Sequence, residues 1–122
     1  MAKRRVGDGV VPEKVEQARI VAHLRALGAA VYVLGHPSPA DGRRFRGTGQ
    51  TPGIPDVYAF VPTAVGQPHE IVPVWIEVKR QGGAVRPAQQ IFRAQCLAAG
   101  HAHVLGTHVG VCAWLETLGY AR

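Results

Sequence analysis

The chain has 122 residues, 47% of them hydrophobic and 18% charged, a balance that suits one packed domain and excludes both a multidomain protein and a disordered polyelectrolyte. Fourteen Lys and Arg against eight Asp and Glu leave a formal charge of +6, which favours polyanionic partners, nucleic acid first, because each neutralised phosphate releases counterions. No stretch has the length and apolarity of a membrane span, and the basic residues 1–5 are not followed by the apolar segment of a secretory leader, so the expectation is a soluble, cytoplasmic protein associated with DNA.

Residues 1–11 read as a flexible basic arm, and residues 12–122 as a single domain. Pro12 and Glu13 open a helix, with Pro near its first position and acids in its first turn. Ile20, Leu24, Leu27 and Val31 recur at helical spacing, and Gly28 suits a helix stop. Residues 30–34 form a short β-type run. Residues 35–53 form a long loop rich in Gly, Pro and Arg, of a length that in a compact domain usually serves function. It carries Arg43, Arg44 and Arg46, whose charge and Gly-rich setting suit a phosphate backbone.

A strand is expected at residues 56–61, a turn around 62–69, and a second strand at 71–79. Side-chain alternation places Val72, Val74, Ile76 and Val78 on one face of that strand, and Ile71, Trp75, Glu77 and Lys79 on the other. Gln81, Gly82 and Gly83 break it. Pro87 opens a helix to about residue 99, and Gly100 closes it. Residues 102–105 make a last strand. Residues 109–118 make a closing helix with Val111, Trp114, Leu115 and Leu118 as its apolar stripe. The order α-β-β-β-α-β-α predicts an α/β fold, a mixed sheet flanked by helices.

Cys96 and Cys112 lie in apolar, helix-like stretches with no Cys-x-x-Cys spacing. They read as small buried hydrophobes in a reducing compartment, not as a disulfide or a structural zinc site. Of the six histidines, His101 and His103 leave one strand face together but lack a third ligand at sensible spacing. They read as surface or half-buried residues.

Asp56 and Glu77 carry more chemistry. Hydrolysis of a phosphodiester needs a divalent cation held by oxygen ligands, an activated water and neutralisation of the phosphate charge. The two carboxylates stand at a strand start and a strand end that adjacent strands can bring together. Lys79 leaves the same face as Glu77, where its cation can orient the water or neutralise phosphate. Val78 between them turns its side chain to the core and leaves its carbonyl free to face a metal. Taken singly, an acid after Pro is a common turn former and Glu-x-Lys a common strand edge.

In sequence order, Gly53-Ile54-Pro55-Asp56, then Trp75-Ile76-Glu77-Val78-Lys79, then Arg86-Pro87-Ala88-Gln89 resembles the VRR-Nuc domain of the PD-(D/E)xK superfamily, over nearly the whole chain. The resemblance implies a restriction-endonuclease-like mixed sheet and a Mg²⁺- or Mn²⁺-dependent nuclease, without an organic cofactor. It implies Asp56 and Glu77 as metal ligands with the Val78 carbonyl assisting, Lys79 as the catalytic lysine, and Gln89 as the glutamine that supports the site. Gln90 is adjacent, and on a helix only one of the two faces the site. The family's first-helix acid near the metal has two candidates, Glu13 and Glu16. Glu13 is preferred because Glu13-x-x-x-Gln17 resembles the family's opening pattern. Arg86 departs from the small hydroxyl residue usual before this Pro, which weakens the helix cap and offers a phosphate contact instead.

The functional expectation is a structure-selective DNA endonuclease acting on branched DNA, of the Holliday-junction resolvase type. Small stand-alone members of the family act as homodimers, and a symmetric pair of cuts needs the two active sites that a twofold dimer supplies. The alternatives are a non-catalytic DNA- or junction-binding module, which leaves the coincidence of Asp56, Glu77 and Lys79 unexplained, and a nuclease acting on flaps, single strands or RNA.

Overall fold

A computed structural model describes residues 9–34, 51–66 and 69–121. Arg43, Arg44 and Arg46, and most of the expected N-terminal arm, lie outside these residues. Seven elements follow in the expected order: α1 (Glu13–Ala26), β1 (Ala30–Val33), β2 (Val57–Pro62), β3 (Ile71–Val78), α2 (Pro87–Ala98), β4 (Ala102–Gly106) and α3 (His108–Glu116). The strands form one mixed sheet in the order β1-β2-β3-β4, with β1–β2 and β2–β3 antiparallel and β3–β4 parallel. The parallel pair needs a crossover, and α2 supplies it.

Helix α1 starts after Pro12, whose φ of −60° is preset for the turn. Glu13 and Glu16 in the first turn complement the positive end of the helix dipole. Ile20 and Leu24, four residues apart, are fully buried. The helical spacing expected to run on to Val31 stops sooner. Gly28 takes φ +90° and turns the chain, a conformation costly for any residue with a Cβ. Val31 is buried instead from β1.

Alternation along the strands then divides the molecule into two faces. Val57, Ala59 and Val61 of β2, and Val74, Ile76 and Val78 of β3, are all fully buried and join Ile20, Leu24, Val104, Val111 and Leu115 in one core under α1 and α3. Fully burying a Val or Leu side chain stabilises by roughly 1.5–3 kcal/mol, so this face holds the fold together. Trp114 and Leu118, in the apolar stripe expected of the closing helix, pack against the same cluster. The other face carries Tyr58, Trp75 and His103, with α2 laid across part of it. Trp75 meets Phe92 edge-on at 5.3 Å, and Arg93 donates to His103 Nδ1 at 3.0 Å. Among the described residues no helix is long and apolar enough to cross a membrane.

Candidate active site

Val57 pairs with Ile76 in the antiparallel β2–β3 ladder. The next residues outward are Asp56 and Glu77, and strand parity turns both to the face away from the α1–α3 core. The carbonyl of Asp56 accepts from the Leu34 N–H at 2.7 Å, which fixes its backbone to the end of β1. Two residues past Glu77, Lys79 donates its backbone N–H to Gly106 at 2.9 Å. Its side chain is nearly buried, on the same side as Glu77. Val78 between them is wholly buried in the core, as alternation requires.

Glu13, Asp56, Glu77, Lys79, Arg86 and Gln89 line one cleft of about 360 Å³. A smaller adjoining cleft of about 140 Å³ shares Asp56, Glu77, Arg86 and Gln89 and extends over Thr51, Gly53 and Ala88. Four separate parts of the chain thus meet: the start of α1, the approach to β2, the end of β3 and the start of α2. Of the two first-helix acids, Glu13 lines the cleft and Glu16 does not. Glu16 is buried and its Oε1 accepts from the backbone N–H of His108 at 2.8 Å, capping α3 from a neighbouring helix.

Glu77 is the strained member. It is 3% exposed, and no donor among the described residues reaches its Oε1. Its pKa is raised from 4.5 to about 8. Burial is the largest cause and the charge of Asp56 the next; a hydrogen bond with Asp56 and the charge of Glu13 push the same way, while Lys79 pulls it down. Two ionised carboxylates have no proton to offer each other. Burial and the Asp56 charge therefore both favour the protonated form of Glu77.

The other oxygen of Glu77 is held. Gln89 Nε2 donates to Oε2 at 3.1 Å, and Gln89 Oε1 accepts from the Arg86 N–H at 2.8 Å. Both ends of the amide are therefore used, one in capping α2 and one in aiming Glu77. A Ser or Thr at position 86 completes such a capping box, but an Arg side chain has only donors and cannot. Its guanidinium is left exposed at the rim. Gln90 is exposed and does not line the cleft, and its backbone N–H donates to the Arg86 carbonyl at 3.1 Å, so of the two glutamines it is Gln89 that reaches Glu77.

Gly53 sets how closely the β2 approach lies against α2. It has φ +91°, and a Cβ there would stand 2.8 Å from the carbonyl carbon of Ala88. Both faults are backbone faults, so Gly53→Ala is expected to destabilise by about 1–3 kcal/mol and to shift Asp56 relative to Gln89. Chemical denaturation checks the first effect. A variant as stable as the parent would mean that the loop and helix separate at no cost.

The histidines and cysteines divide differently from the sequence reading. His101 meets the Tyr58 hydroxyl at 3.2 Å, and His103 is buried against Arg93. Burial and the Arg93 charge hold His103 down to about 4, so it is a neutral imidazole whose Nδ1 is engaged by Arg93. Cys96 is a buried hydrophobe as expected, its thiol pushed up by burial. Cys112 is not: it is half-buried beside His23 and His108. The i, i+4 spacing of His108 and Cys112 was readable on a helix, but His23 joins them only through packing of α1 on α3.

The chain matches no protein-family model, no curated protein and no solved structure.

Proposed function

We propose that the chain is a Mg²⁺- or Mn²⁺-dependent endodeoxyribonuclease that hydrolyses phosphodiester bonds in branched DNA as a homodimer, in the manner of a Holliday-junction resolvase. The observation that carries the reading is the buried Glu77 Oε1 without a donor, beside Asp56, at the floor of a cleft that also holds Glu13 and Lys79. A buried carboxylate beside a second one favours a bound cation or proton between them, and a donor set made only of oxygens suits a hard cation. The motif resemblance to the VRR-Nuc domain supports the same choice on sequence grounds, and the +6 charge suits a nucleic-acid substrate.

Asp56 and Glu77 would hold the cation, with Glu13 on the third side and the Val78 carbonyl as a further ligand. A cation held there would supply Lewis-acid polarisation of the phosphate and a water acidic enough to attack at neutral pH. The rest of the work falls to the chain. Gln89 keeps Glu77 from rotating. Lys79, nearly buried on the side of Glu77, holds an ammonium where it can orient the attacking water or meet charge developing on the phosphate. Arg86, exposed at the rim, is placed to contact a phosphate neighbouring the scissile one.

The test is incubation with labelled four-way junction, duplex and single-stranded DNA in Mg²⁺, Mn²⁺ or EDTA, alongside Asp56→Ala. Junction cleavage that needs the metal and is lost in the variant is the expected result. Binding without cleavage under every metal would instead make the chain a recognition module. Preferential cutting of linear single strands, flaps or RNA would keep the nuclease and overturn the branched substrate. Neutralising Arg43, Arg44 and Arg46 together is expected to weaken junction binding and flatten its dependence on salt, measurable as affinity across a salt series.

A further inference from the structure

A second group of ligating side chains gathers away from the carboxylate cleft. His23 comes from the last turn of α1, and His108 and Cys112 stand four residues apart on one face of α3. The three ligand atoms converge on one point. His23 Nδ1 lies 2.9 Å from His108 Nε2, and Cys112 Sγ lies 3.6 Å from the first and 3.5 Å from the second. All three residues are half-buried. The site is about 15 Å along α1 from Glu13, given ten residues at 1.5 Å each.

We propose that His23, His108 and Cys112 bind a borderline-soft divalent transition ion, Zn²⁺ in the first place, at a site distinct from the carboxylate cleft. Two imidazoles and a thiolate are a donor set that such ions take and that Mg²⁺ does not. The spacing fits. A tetrahedral ion with bonds of about 2.0 Å to nitrogen and about 2.3 Å to sulfur sets nitrogen and sulfur about 3.5 Å apart and two nitrogens about 3.3 Å apart. Both sulfur distances already have this value. The two nitrogens need to open by about 0.4 Å, from a contact that without metal is one N–H···N hydrogen bond.

The surroundings suit the ligating forms. Burial and the neighbouring His23 hold His108 below the usual histidine range, which keeps the imidazole neutral. Glu16 accepts the His108 backbone N–H and so fixes the ligand's main chain, the kind of outer contact that orients a metal-bound residue. Glu16 and Arg19 are the charged groups that act on His108 from α1, the Glu raising and the Arg lowering its pKa. Binding breaks the Cys112 S–H bond and forms a metal–sulfur bond, with the proton going to solvent. Three protein ligands leave a fourth position for water. The ion staples α1 to α3 and so holds the helix that delivers Glu13.

The test uses the full chain, reduced and stripped with EDTA, then titrated with Co²⁺ and afterwards with Zn²⁺ under anaerobic conditions. A thiolate-to-cobalt charge-transfer band that saturates at one equivalent and is displaced by Zn²⁺ is expected. The band should persist in Asp56→Ala, vanish in Cys112→Ser, and need at least tenfold more metal in His23→Gln, with circular dichroism reporting that each variant is folded. A parent protein with no band overturns the proposal, whatever the variants do. A band that survives Cys112→Ser, or one that disappears in Asp56→Ala alone, overturns it too.

Discussion

Glu77→Gln should make the metal-free protein more stable while removing its cation binding. The folded protein holds the Glu77 proton up to about pH 8, against 4.5 for the free side chain. Below about 4.5 both states carry that proton, and Glu and Gln are equivalent. As pH rises the unfolded chain releases its proton first, so the native state loses stability until its own Glu77 ionises near 8, after which the difference is constant. The full interval corresponds to at most about 5 kcal/mol. Water entering from the open side of the cleft takes some of this back. A gain on the order of 2–4 kcal/mol for the variant at pH 8 in EDTA remains. Denaturation from pH 4 to 9 measures it, and parity between the two proteins at pH 8 would show that Glu77 is not a buried destabilising carboxylate.

Adding Mg²⁺ should reverse the order. The cation takes the place of the proton, so it stabilises the parent and leaves the variant unchanged. Below about pH 8 each cation bound at Glu77 displaces one proton, and its apparent affinity should rise by up to about tenfold per pH unit. That outcome would make the residue that costs the metal-free protein stability the one that holds the cation, as expected of a site kept for function.

Lys79→Met is expected to lower cleavage by about 10²–10³-fold while cation binding, read by the shift in melting temperature, stays within a few-fold of the parent. The methionine keeps most of the side chain's length and apolar stem and loses the charge with its three N–H donors. Lys79 pulls the Glu77 pKa down, so without it Glu77 should hold its proton to higher pH and the Mg²⁺ requirement should move the same way. Asp56→Ala is expected to lose binding and cleavage together, and the contrast would separate a ligand from a group that acts on the reaction. Equal loss of metal binding in both variants would assign Lys79 to holding the site together instead.

Much of this site was legible because it depends on alternation along strands. Once 71–79 reads as a strand, Glu77 and Lys79 share a face and Val78 is committed to the core, and the structure buries all three in that pattern. Gln89 lines the same cleft and donates to Glu77. Contacts between helices were not legible. The helical spacing continued through Leu27 to Val31 because a Gly stop and a following strand can reuse the same apolar positions. Glu16 was a candidate for the metal, and only the packing of α1 against α3 shows it capping His108. The same packing brings His23 to residues 85 and 89 positions away, a convergence that no local spacing announces.

The double use of Gln89 bears on which cation the cleft selects. Glu77 Oε2 is committed to the Gln89 amide, and that amide cannot turn without uncapping α2. Oε1 is the Glu77 oxygen that no donor among the described residues engages, so an ion held there would meet Glu77 chiefly through that one oxygen. Ca²⁺, with bonds of about 2.3–2.6 Å and six to eight oxygens to find, gains from a carboxylate that chelates with both atoms. Mg²⁺, at about 2.0–2.1 Å and octahedral, is content with single oxygens and retained waters. On the proposed reading, a helix cap would thereby favour the smaller of two alkaline-earth ions of the same charge.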